Sequence, residues 1–192
     1  MLKEKKKLDF FTLKLALVFS FFITASSLCS QTNDEIEMLL DQLAVVESGD
    51  DANLIRKKIW LLWLDGYDDK KNKLKIDTAL ELFNSGDLAK ADRAFSEIIK
   101  LEPEYVEGWN KRATLKFLLG DFSGSLEDID EVLKRQPRHF GAISGSGLIH
   151  MHNKNFAEAY ESYKKLFEID PLNGDSKRFL PMLENKLFGK SL

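Results

Sequence analysis

The sequence predicts an all-α chain built as a solenoid of antiparallel helix pairs. Three observations predict it. Pro103, Pro137 and Pro171 stand 34 residues apart, twice over, and a fixed period of this size marks a stack of supersecondary units. Between the prolines the same turn recurs, as Gly86-Asp87-Leu88, Gly120-Asp121-Phe122 and Lys154-Asn155-Phe156. Small residues recur in step with it, as Ala79 and Ala91, Ala113 and Ser125, then Gly147 and Ala159.

Each element follows from these signals. Glycine ends a helix in the left-handed region at little cost, and the Asp or Asn after it accepts a bond from a free amide of the next helix. The small residues let paired helices approach closely. Phe95 and Ile98, Ile129 and Val132, and Tyr163 and Leu166 fill the next layer at helical spacing. Each proline ends a unit because it cannot continue a helix. The units run over 72–105, 106–139 and 140–173.

Residues 33–65 read as a helical hairpin. Asn33 or Asp34 is the expected cap of a helix with Ile36, Leu39, Leu40, Leu43 and Val46 on one face. After the Ser48-Gly49-Asp50 turn, a second helix carries Ala52, Ile55, Ile59, Leu62 and Trp63, and Gly66 ends it. The expectation is a degenerate repeat capping the stack. Residues 174–188 form the other cap, with Phe179, Leu180, Leu183, Leu187 and Phe188 as its buried stripe and Pro181 kinking it or delaying its start.

Residues 1–29 are different. Lys3, Lys5, Lys6 and Lys7 precede an apolar run from Phe10 to Ala25, then Ser26, Ser27 and Ser30. This is the order of a secretory signal peptide. A retained membrane anchor and lipidation at Cys29 are the alternatives. The expected location is therefore exported and periplasmic, or anchored in the inner membrane facing the periplasm. Cys29 is the only cysteine, so no intrachain disulfide is available. The net charge of −3 becomes more negative without the lysine-rich start, which argues against nucleic-acid binding.

Trp109 and Ala113, with the Gly, small-residue and Pro positions, resemble the tetratricopeptide repeat (TPR) family over residues 72–173. The chain departs from that pattern at Arg112 and Lys116, where Leu and an aromatic are usual, and at Lys154, where Gly is usual. Ile59-Trp60, the run Glu107 to Thr114 and the run Pro137 to Ala142 resemble short exported TPR proteins of Gram-negative bacteria. The resemblance implies a right-handed TPR-type solenoid, non-enzymatic, whose first helices line a concave groove. By repeat position that groove presents Lys73, Ile76, Leu80, Phe83 and Asn84, then Asn110, Thr114, Phe117 and Leu118, then Ser144, Leu148, Met151 and His152. An apolar floor with few polar groups suits another protein's extended peptide or helix. Family members that clamp a C-terminal carboxylate use basic residues where this chain has Ser144 and Leu148, so that ligand is not expected.

Arg138 and His139 follow Pro137 at a junction between units. They are read either as contacts to an acidic partner group or as support, with Arg138 on free helix-end carbonyls and Phe140 packed between repeats. His139, His150 and His152 lack the spacing of a metal site, and no metal or cofactor is expected. Trp60, Trp63 and Trp109 read as core, and Glu127, Asp128, Asp130 and Glu131 as a solvated face. The alternative role is a membrane-tethered structural or assembly factor acting through the 33–65 hairpin, which exposed Trp60 or Leu61 would support.

Overall fold

The computed structural model describes residues 32–66 and 70–189. The chain divides into two compact units, Met1–Met38 and Leu39–Leu192, and the repeats lie wholly in the second. The 1–29 segment lies outside the described residues, among which no helix is long and apolar enough to cross a membrane. Among them there is no strand.

A first helix, α1, covers 32–45, so Asn33 and Asp34 lie inside it rather than capping it. Then come α2 (Gly49–Leu64), α3 (Lys70–Asn84), α4 (Leu88–Leu101), α5 (Val106–Leu118), α6 (Phe122–Arg135), α7 (Phe140–His152), α8 (Phe156–Ile169) and α9 (Gly174–Phe188). The helices pair as α3 with α4, α5 with α6 and α7 with α8, and α9 packs on α8.

The turns within pairs are three copies of one motif. The amides of Asp87, Asp121 and Asn155 reach back five residues, to the carbonyls of Leu82, Lys116 and His150. That geometry needs a left-handed residue just before. Gly86 and Gly120 supply it at φ 81°, and Lys154 is forced into it at φ 62°. Asp87 and Asp121 then cap α4 and α6 through their carboxylates, whereas Asn155 makes no side-chain cap bond. The junctions between pairs repeat as well: the amides of Tyr105, His139 and Asn173 bond the carbonyls of Glu102, Gln136 and Asp170.

The cores are the sequence-read layers. Phe95, Ala79 and Ala91 are fully buried, as are Val132, Ala159, Tyr163 and Leu166. Each large side chain among them stabilises by about 2–3 kcal/mol relative to exposure. Gly147 is obligatory, because a Cβ there would lie 2.8 Å from the Tyr163 ring. Burial raises the Tyr163 phenol above its ordinary value, with the Asp175 charge adding to it.

The hairpin departs from expectation. Helix α2 lies across the junctions of the repeats instead of serving as a further stacked pair. Tyr105 Oη donates to the Leu64 carbonyl at 3.3 Å. At the next junction Trp63 stacks on His139, with ring centroids 3.9 Å apart, and Trp60 meets Phe140 edge-on. At the third, Arg56 grips buried Asp170 through Nε and Nη2 at 2.6 and 2.8 Å. One helix therefore touches every junction, because the junctions are equivalent and recur along one edge. Gly141 belongs to this seam, since a Cβ there would lie 2.9 Å from Trp60.

The C-terminal cap also differs. Helix α9 begins at Gly174 behind an Asn173 cap and runs through Pro181. Leu183 is fully buried, but Leu187 and Phe188 are exposed, because the buried stripe of α9, which packs on α8, reaches only as far as Leu183.

Candidate functional site

A cavity of about 300 Å³ lies among α5, α6 and α7. Its floor is Ala113, Ile129, Ala142 and Ile149, and its walls are Phe117, Leu118 and Leu148. The floor is open where Gly145 stands without a side chain beside Ile129, and Gly141 borders it with backbone alone. The polar lining is limited to Asn110, Thr114, Ser125 and Ser144.

Asn110 belongs to a buried network. Its Nδ2 lies 3.1 and 3.2 Å from the two carboxylate oxygens of Glu107. Glu107 also meets His139 Nε2 at 2.8 Å and Lys111 at 3.7 Å. His139 Nδ1 accepts the Ala142 amide at 3.1 Å, so the ring proton sits on Nε2 and is donated to Glu107. Burial alone would raise the Glu107 carboxyl. The His139 hydrogen bond, the Lys111 charge and the Asn110 amide outweigh it and hold the group below its ordinary value. The network runs from the cavity wall at Asn110, through Glu107 and His139, to Trp63 on α2.

The groove residues read from the sequence separate into three sets. Asn110, Thr114, Phe117, Leu118, Ser144 and Leu148 line the cavity together. Ile76 does not, being 2% exposed within the core of the first pair. Leu80 and Phe83 pack half-buried against that same core, Lys73 pairs with Asp77 at 3.6 Å, and Asn84 is exposed at the end of α3. Met151 is half-buried and His152 packs on Phe122, both outside the cavity lining.

Other readings are corrected or refined. His139 is fully buried and cannot meet an acidic partner; its carboxylate is internal. Arg138 pairs with Asp41 at 2.7 Å, and Phe140 packs on the α2 tryptophans. Asp128 is not solvated. It is 2% exposed, held by Nε and Nη2 of Arg112 at 2.8 and 2.7 Å and by Lys116 at 3.0 Å. That bond raises the Arg112 guanidinium. The two departures at Arg112 and Lys116 are thus one ionic cluster. Trp63 is core, while Trp60 is half-buried. Half-buried Trp109 has the Arg112 and Arg135 guanidinium groups over its ring, at 5.1 and 5.4 Å from the centroid, and donates to the Pro103 carbonyl at 2.9 Å.

Sequence reasoning missed Glu107, whose charge type hides a fully buried position. The signal that could have found it is its place one turn before Asn110, with Lys111 following at i+4. Among the described residues no group of three or more His, Cys, Asp or Glu could hold a metal ion.

The tetratricopeptide repeat family model matches residues 110–173. A TPR repeat-containing protein of Rhizobium etli is 33% identical over 162 residues, covering 83% of this chain and 78% of that protein. The first TPR of Spaghetti (RPAP3), solved with an HSP90 peptide SRMEEVD, matches with TM-score 0.58 at 19% identity, covering 62% of this chain and 95% of that one. The TPR2B domain of yeast Sti1, solved as a complex with pHsp70, matches with TM-score 0.53 at 24% identity, covering 62% and 96%. Repeat period, paired helices, left-handed turns and these likenesses agree, and the chain belongs to the tetratricopeptide repeat family.

Proposed function

We propose that this protein is a non-enzymatic, exported adaptor that holds a peptide or helix of another protein in the groove between α5 and α7. The observation that carries this reading is the cavity itself: an apolar floor opened by Gly145, fringed by a few polar groups. Such a site suits an anchoring side chain of a partner segment. The basic apolar start of the chain, Lys3 to Ala25, supports the export part, with periplasmic location following from it.

The acidic peptide bound by the RPAP3 domain is not extended to this chain. Ser144 and Leu148 stand where a carboxylate clamp has cations, and Ser144 already bonds Asp175 at 2.7 Å.

A second reading has its own observation. Leu54 and Leu61 of α2 are 67% and 57% exposed, one above the other at i, i+7, so the hairpin could serve as an assembly surface. Affinity capture from the envelope with a C-terminal tag tests both readings. Loss of a partner with Leu118→Asp plus Gly145→Leu supports the groove. Loss only with Leu54→Asp plus Leu61→Asp moves the site to the hairpin and sinks the groove assignment.

A further inference from the structure

The cavity has a polarity of its own. Each polar side chain lining it turns its donor to a partner inside the protein. Asn110 points its amide nitrogen at Glu107. Thr114 Oγ1 donates to the Asn110 carbonyl at 3.0 Å, and Ser125 Oγ to the Ala113 carbonyl at 2.7 Å. Ser144 Oγ donates to the Asp175 carboxylate at 2.7 Å. What each retains is an acceptor oxygen.

The assignment for Asn110 is chemical as well as geometric. An ionised carboxylate only accepts, and Glu107 is held in the ionised form, so the nitrogen of Asn110 must face it. The amide oxygen is then left for the cavity, and no donor among the described residues reaches it. Two carboxylates, Glu107 behind Asn110 and Asp175 behind Ser144, also stand directly behind the polar lining.

We infer that this cavity selects a ligand segment that brings hydrogen-bond donors beside an apolar side chain, and rejects carboxylates. The occupant is a stretch of a partner polypeptide with an aliphatic side chain on the floor and N–H groups directed at Asn110, Thr114 and Ser144. An incoming carboxylate would meet acceptors backed by negative charge, with no donor to replace its lost water. A main-chain N–H or an ammonium pairs with them. The inference rests on the groove reading and names the ligand chemistry of that site.

Three small probes with one hydrocarbon separate the cases: isoamylamine (an ammonium), isocaproamide (a neutral amide) and isocaproate (a carboxylate). Each is titrated into the isotope-labelled full chain while the amide resonances of Thr114, Gly145 and Leu148 are followed. The amine and the amide are expected to move these resonances, with isocaproate weaker by about tenfold or more. Thr114→Val, at an exposed position, should weaken the two donor probes by about threefold. Gly145→Leu, which fills the cavity, should abolish all three responses. Isocaproate binding as tightly as isocaproamide would overturn the polarity and leave the groove reading standing. No response at these residues from any probe would overturn both.

Discussion

Removing the Asp128 carboxylate tests whether the ionic cluster between α5 and α6 holds the second repeat together. Asp128 is 2% exposed, with Arg112 and Lys116 at 17% and 19%. Arg112 also donates to Ser96 of α4 at 3.0 Å, so the cluster joins three helices. In Asp128→Ala both cations lose their partner while mostly desolvated. Breaking a buried pair from one side costs about 3–5 kcal/mol. The cations keep some contact with water, so the lower end applies, about 3 kcal/mol. With an m-value of about 2 kcal/mol/M, the urea midpoint should fall by about 1.5 M, read by far-ultraviolet circular dichroism near pH 7. Replacing the whole cluster should behave differently. Arg112→Leu, Lys116→Phe and Asp128→Ala together restore the usual apolar pattern, and should return stability to within about 1 kcal/mol of the parent or above it. An Asp128→Ala loss below about 1 kcal/mol, or a triple variant no better than the single one, would refute the reasoning.

Two further outcomes follow from single groups. Lys154 holds a left-handed backbone at φ 62° where Gly86 and Gly120 stand in the other pairs, so Lys154→Gly should gain about 0.5–1 kcal/mol; a loss in urea unfolding would contradict the strain argument. Glu107 is held below its ordinary value of 4.5 in the folded chain, so the unfolded chain takes up that proton first. The stability it lends is complete above about pH 4.5 and disappears as pH falls through the folded value. Glu107→Gln should flatten this acid limb in urea midpoints measured from about pH 7 to pH 3, and an unchanged limb would remove Glu107 as its source.

What the sequence by itself determined is whatever repeats. The period of 34, the Gly-Asp turns and the small-large layers are local signals, each tied to backbone conformation or helix spacing. They locate the helix pairs, and they align Asn110, Thr114, Phe117, Ser144 and Leu148 on equivalent first helices. What only the tertiary structure decided concerns residues whose meaning lies in a distant partner. Glu107 and Asp128 look like surface charges until His139 and Arg112 are brought onto them. Ile76 shares the periodicity of groove residues, yet its own pair buries it. The path of α2 across Tyr105, His139 and Asp170 has no local signal, because it depends on junctions that only the finished stack aligns. The acceptor character of the cavity is of the same kind. Residue types name donors and acceptors equally, and only the fold decides which of the two is already engaged.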